Sequence, residues 1–446
     1  MEAKYVAHAN APAAGDTCRT GEASEHMVSS RGERMGKTEA GTAPGTYTAA
    51  AWDPVAAAAV VADRAIARAE ADAASPDAAS SNAVLVDADV AYPAAMLADL
   101  HRAGLLIAPL PRAVGGTGLG LEVGTRHALL GALAEVGRAD LSAGRLYEGH
   151  VDAMLLVARF GTSAEQARVA RRVGGGRIFG VWNTGPAEGG VRVTPDADGG
   201  ARVDGVKTFA SGAARVDGAV VTGALPDGGW QMCVVPVAAL RRTGAARIDR
   251  ASWRPLGMLG SASYTIAFRG ARLPRRALLG TKDSYYAQPR FTGGAVRFAA
   301  VQLGGAERLV DALRGFLRAA GRADDPYQRA RVGEAVTLVA GGRAWLRAAA
   351  DVAEAHAADA AAVDADAVVA HANMARTAVL ELCVRVCELV ERGVGARGLL
   401  APSPVPGIVR DLLMYLRQPA PDAAVAEVGG YALARPASVA RLWGIA

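Results

Sequence analysis

Two changes of hydrophobic period divide this 446-residue chain, and they restrict its fold more than any single motif does. From "AAAWDPVAAAAVVADRAIARAEADAA" to about Arg172, apolar residues recur at three- and four-residue spacing, the mark of helices with a buried face. The Pro/Gly loop "APLPRAVGGTGLG", Ala108 to Gly120, interrupts them. Between Gly176 and Gly280 the runs become short and β-rich: "RIFGVWNT", "GARVDGVKTFAS", "GAVVTGAL", "WQMCVVPV" and "YTIAFRGARL". Turn signals such as Pro195–Asp196 and "LPDGG" separate them, which predicts an antiparallel sandwich or barrel. From about Phe291 the helical spacing returns in three stretches long enough to span a bundle. The chain thus divides into a helical domain (47–176), a β domain (177–282) and a helical bundle (283–446). Residues 1–46, polar and without periodicity, read as a disordered arm.

Composition removes several function classes. The 49 basic and 44 acidic residues leave a net charge of +5, but the arginines are scattered singly, so no nucleic-acid footprint forms. Four cysteines (Cys18, Cys233, Cys383 and Cys387) are too few and too dispersed for a disulfide scaffold. Cys383 and Cys387 stand one helical turn apart without a His partner, which suits core packing better than metal binding. No apolar run reaches the roughly 20 residues of a membrane span, and the N-terminus lacks a secretory core, so a cytoplasmic protein without a membrane partner is expected. Walker A, dinucleotide-turn, zinc-protease and nucleophile-elbow motifs are all missing.

Five stretches in order carry a resemblance. They are "AGLLIAPLPRAVGGTGLG", "RFGTSAEQARVARRVGGGRIFGVWNTGP", "ARVDGVKTFASGAARVDGAVVTG", "WRPLGMLGSASYTIAFRGARLPRRALLG", and "ERGVGARG" followed by "RD". Together, over residues 50 to 435, the chain resembles the acyl-CoA dehydrogenase superfamily of flavoproteins. The resemblance implies an α+β, acyl-CoA dehydrogenase-like fold: an N-terminal helical domain, a central antiparallel β domain and a C-terminal four-helix bundle. It implies FAD as cofactor. In "KTFAS", Phe209 takes the place of the family's aromatic that walls the flavin, and Ser211 that of its hydroxyl donor. Thr184 matches the threonine that approaches the flavin pyrimidine. Arg322 lies near the family's diphosphate arginine, although the Phe–Gly that normally follows is missing. Arg392 and Gly395 correspond to the bundle turn that touches a neighbouring subunit's cofactor, which implies a homodimer or homotetramer.

The family's catalytic base is a glutamate, since a desolvated carboxylate can be tuned toward neutral pH. Counting from Arg410–Asp411, this chain places Pro419 there, and the alternative position on an earlier helix falls at about Gly294. Three carboxylates could substitute. Asp422 follows Pro421, with a helix cap as its plainer role. Glu148 and Asp152, at i and i+4 on one helix face, either line the acyl pocket or point to solvent. The family's "T-E-P-G-x-G-S-D" loop is here "TGPAEGGVR", which keeps Thr184 and Pro186 and loses the Glu, Ser and Asp that approach the thioester.

The leading expectation is an FAD-dependent oxidoreductase that passes a hydride from an acyl or acyl-CoA substrate to flavin N5. Electron-transfer flavoprotein or oxygen would be the acceptor. The alternatives are a flavin monooxygenase on the same fold, which needs no α-proton base, and a non-catalytic relative.

Overall fold

The computed structural model describes residues 52–74, 88 and 91–443. The stretch read as a disordered arm, and Cys18 within it, lie outside the described residues. Five helices come first: α1 (Pro54–Ala74), α2 (Ala94–Arg102), α3 (Arg126–Ala139), α4 (Leu141–Phe160) and α5 (Ser163–Gly174). Side chains take up the free N–H groups at two of their starts. Asp140 accepts from Ala143 N at 2.8 Å to open α4, and Thr162 accepts from Glu165 N at 3.3 Å to open α5. Most of α4 is buried, with Ala143, Gly144, Leu146, Val151, Ala153 and Met154 distributed around its circumference. It packs against α3, β1 and the later bundle, so its few charged residues must find partners inside the fold.

The strands are β1 (Phe179–Trp182), β2 (Arg192–Pro195), β3 (Ala201–Ala210), β4 (Gly218–Ala224) and β5 (Trp230–Val235); after a short α6 (Val237–Arg242) come β6 (Ala246–Asp249), β7 (Tyr264–Leu273) and β8 (Leu278–Leu279). They form one sheet of order β6-β7-β3-β2-β4-β5-β8, with β1 paired to β4. One detail differs from the sequence expectation. The antiparallel pattern is broken at β4, which runs parallel to β1, from Phe179 opposite Gly218 to Trp182 opposite Val221, and to β2 at Arg192 opposite Ala224. The chain leaves β1 and passes through β2 and β3 before returning, so β4 arrives alongside β1 in the same direction. β2, β6 and β8 are too short for alternation to show in the sequence.

The second helical part holds α7 (Arg290–Gly293), α8 (Ala295–Ala319), α9 (Pro326–Ala358), α10 (Ala365–Gly398), α11 (Val405–Tyr415), α12 (Pro421–Leu433) and α13 (Val439–Leu442). Helices α8 and α3 cross at glycines on both sides. A Cβ on Gly137 would stand 2.1 Å from the Val301 carbonyl oxygen, and one on Gly304 would stand 2.0 Å from that of Ala134. No side chain fits between those backbones. Contrary to the sequence expectation, α10 is long and apolar enough in composition to cross a membrane. Its buried residues Val379, Cys383, Val386 and Val390 instead pack at helical spacing against α8 and α9, as in the core helix of a bundle. Gly395 (φ 62°, ψ −170°) kinks its end, a conformation that glycine alone adopts freely. Pro419 lies between α11 and α12, and Pro421 opens α12.

Candidate active site

The β side of the site is built around a strained aromatic. The register of β3 against β7 shifts between Lys207 and Ala210, and Phe209 takes φ +52° there. Its ring is 55% exposed and meets the edge of Trp253, at 6.3 Å and 86°. A non-glycine residue at positive φ with an exposed apolar ring is disfavoured twice over, a combination that belongs at a functional surface. Two residues on, Ser211 is buried and shares a hydrogen bond of 2.8 Å with the Ser263 hydroxyl, which shares another with Ser261. Trp182 Nε1 donates to the Ser211 carbonyl oxygen at 3.1 Å, tying β1 to this turn.

Beneath it lies a cluster that sequence reasoning missed. Lys207 is 1% exposed, and its Nζ donates to the Asn183 carbonyl oxygen at 2.7 Å and to Thr222 Oγ1 at 3.2 Å. The Asn183 side-chain oxygen accepts from Thr222 Oγ1 and from the Tyr286 hydroxyl, both at 2.7 Å. Burial pulls the Lys207 ammonium down to about 7. This cluster fixes the chain just before the half-buried Thr184, whose carbonyl accepts from Thr208 N at 3.1 Å. Its only signal in the sequence was a lysine at an inward position of a mixed strand.

The helical side is a charged wall on α4. Arg145, Glu148 and Asp152 occupy successive turns of one face. Arg145 pairs with Glu148, and Arg297 of α8 bonds Asp152 at 2.5 Å while its Nε lies 3.8 Å from Glu148. Glu148 is 5% exposed, so of the two sequence readings the inward-facing one describes its position. Burial pushes its carboxyl upward, against the pull of Arg145 and Arg297. His150 faces elsewhere: its Nδ1 accepts from Phe179 N at 3.1 Å and its Nε2 donates to the Leu106 carbonyl oxygen at 2.8 Å. Burial holds this ring neutral, down at about 4, as a brace between α4 and β1. A crevice lined by Arg145, Leu146, Gly149, Phe179–Trp182 and Ser211 joins the charged wall to the β side.

These surroundings fit the flavin that the resemblance implies. An exposed aromatic face and, beside it, a hydroxyl held in a serine chain are the groups that would meet a planar ring with a polar edge. The remaining sequence candidates lie elsewhere. Asp422 is exposed in the first turn of α12. It does not cap the helix: Ala420 occupies the cap position at φ +53°, and Pro421 follows. Arg322 pairs with Asp325 at 3.2 Å, and its Nη2 donates at 2.7 Å to the Gln328 carboxamide turned oxygen-inward. Gln328 in turn abuts Gly393, so Arg322 and the Gly395 turn share one end of the bundle. Arg392 is exposed and paired with Glu388 at 3.1 Å.

Comparison with known proteins agrees with this geometry. The family described as "Acyl-CoA dehydrogenase, N-terminal domain" matches residues 62–177, and "Acyl-CoA dehydrogenase, C-terminal domain" matches residues 296–415. Dibenzothiophene monooxygenase of Mycolicibacterium goodii is 27% identical over 369 residues, 75% of this chain and 86% of that protein. Among solved structures, the FMN-bound dibenzothiophene monooxygenase of Paenibacillus sp. A11-2 superposes with a TM-score of 0.72 at 20% identity, covering 85% of this chain and 97% of its own. Butyryl-CoA dehydrogenase of Megasphaera elsdenii does so with a TM-score of 0.70 at 16% identity, covering 88% of this chain and all of its own. With both of the family's helical domains matched across more than half its length, the chain belongs to the acyl-CoA dehydrogenase superfamily.

Proposed function

We propose that this protein is a flavin-dependent monooxygenase on the acyl-CoA dehydrogenase fold, working with reduced FMN and dioxygen. The observation that carries the reading is the fate of the base. Proline and glycine stand at its two customary places, Pro419 and Gly294, and the buried carboxylate nearby, Glu148, is engaged by Arg145 and Arg297. Removing an α-proton needs a free, desolvated carboxylate; oxygen insertion does not. The relationship to dibenzothiophene monooxygenases points the same way. Dehydrogenation, which led the expectations from sequence, therefore becomes the second reading. FMN replaces FAD in the proposal because the structurally similar dibenzothiophene monooxygenase of Paenibacillus sp. A11-2 is FMN-bound.

Bound reduced flavin would supply the electrons that activate oxygen. The chain's own residues would do the rest. Phe209 covers one face of the ring site, and the Ser211–Ser263–Ser261 chain holds a hydroxyl at its edge. Lys207 and Asn183 fix the strand end that presents Thr184. Trp182, buried and bonded to Ser211, helps to exclude water from the crevice.

The test is anaerobic reduction of the flavin-loaded protein followed by rapid mixing with oxygen. A long-lived absorbance transient, distinct from both oxidised and reduced flavin, is expected. Single-step reoxidation, or bleaching of the oxidised protein by butyryl-CoA, would overturn the reading in favour of dehydrogenation.

A further inference from the structure

The wall beside the crevice has more positive charge than it uses internally. Three guanidiniums, from Arg145, Arg290 and Arg297, meet two carboxylates, Glu148 and Asp152. Arg145 and Arg297 are accounted for by those two. Arg290, near Asp152, has no carboxylate within ion-pair distance among the described residues; one of its nitrogens donates to the Ser284 carbonyl oxygen at 2.6 Å, and its guanidinium lies 4.7 Å from the Phe160 ring centre. Donors are also in surplus. Arg290 Nε, Arg297 Nε and the Tyr415 hydroxyl are buried without an acceptor. Tyr415, at the end of α11, is 3% exposed and lies against Arg145 and Glu148. A buried group left idle in this way is costly, and a wall that keeps three of them is incomplete without an acceptor from outside.

We propose that the Arg290–Arg297–Tyr415 wall is a recognition subsite for a carboxylate, so that the substrate is a small organic acid and not a neutral arene or a plain fatty acyl chain. The assignment rests on the reading of the adjoining crevice as the flavin and substrate site. A carboxylate supplies one negative charge and up to four acceptor positions, which matches one unpaired guanidinium and three idle donors. The phosphate of the flavin is the other conceivable anion, and the experiment separates the two.

The flavin-loaded protein is titrated with benzoate, indole-3-carboxylate and octanoate, and with their neutral amides, by calorimetry and by perturbation of the flavin spectrum. At least one acid should bind about ten-fold or more tightly than its amide, the size of one charge-assisted hydrogen-bonded contact. Arg290→Gln should erase that preference. Tyr415→Phe should weaken acid binding more than it weakens binding of the matching amide. Equal affinity for every acid and amide, or a preference that survives both variants, would overturn the proposal. So would an Arg290→Gln protein that loses affinity for FMN but not for riboflavin, which would assign the anion to the cofactor. Calorimetry on the flavin-free protein keeps the two readings apart: absence of flavin binding counts against the oxygenase, while the acid–amide comparison still judges the subsite.

Discussion

Lys207 Nζ donates to the Asn183 carbonyl oxygen at 2.7 Å from a position almost sealed from solvent. Asn183 immediately precedes Thr184, so this bond links a strand-interior charge to the edge of the ring site. Lys207→Met should keep the fold and weaken flavin binding roughly ten-fold, the loss of one charge-assisted bond. The pH dependence has a definite sign. Burial lowers the ammonium from 10.5 to about 7, so between those values the unfolded chain binds the extra proton and stability rises with pH. Denaturant melts of wild type and Lys207→Met across that range should show the slope in the former and its loss in the latter.

Asp411 provides a second, opposite pH signature. Its carboxyl accepts from Met258 N at 2.5 Å, yet burial, aided by the nearby Asp140, pushes it from 3.8 up to about 6. Its stabilising contribution is present below the ordinary value and is lost as pH rises through about 6. Asp411→Asn can still accept the Met258 bond. The variant should match wild type at the acid end and exceed it above about 6, as measured by urea midpoints.

The crossing of α3 and α8 gives a steric prediction with an internal control. Gly304→Ala sets a methyl against a carbonyl oxygen that cannot swing away and should cost about 3 kcal/mol or more. Gly333→Ala, exposed within α9 with open space around its Cβ, should instead stabilise by about 1 kcal/mol through helix propensity. Thermal denaturation of the two variants checks both signs.

Glu148→Gln should lower stability by roughly 3 kcal/mol, because two arginines would lose a buried counter-charge. If Glu148 is a structural partner and not a base, reoxidation of the reduced flavin by oxygen should proceed at a similar rate in this variant. Stopped-flow absorbance compares the two proteins directly.

How much of this was readable in advance follows from the range over which each cause acts. The switch from helical to alternating spacing is local, so the helix–sheet–helix order was visible along the chain. Phe209 and Ser211 lie at the end of β3 and just beyond it, so one short sequence motif names both. The charged wall was only half visible: Glu148 and Asp152 share a helix, but Arg297 reaches them from 145 residues away. No local spacing encodes such a partner. The helix-cap reading of Asp422 failed for a subtler reason, since Ala420 adopts a left-handed backbone and shifts the helix start by two residues. The burial of Lys207 depends on strands β1, β3 and β4 meeting, a property of sheet order and not of any one strand.

Pro419→Glu should not create an acyl-CoA oxidase. The position is exposed, its carbonyl is held by Arg376 Nη2 at 2.8 Å, and the next residue turns the chain through positive φ. Anaerobic titration of this variant with butyryl-CoA should leave the flavin oxidised.

The bond from Arg376 to Pro419 therefore bears on ancestry as well as on chemistry. A lineage that had merely exchanged a glutamate could regain it by a single substitution. Here the two prolines, the left-handed Ala420 and the arginine clasp are fitted to one another, so a working glutamate at this point would require several coordinated changes. The short link between α11 and α12 therefore resists change at any one of its residues.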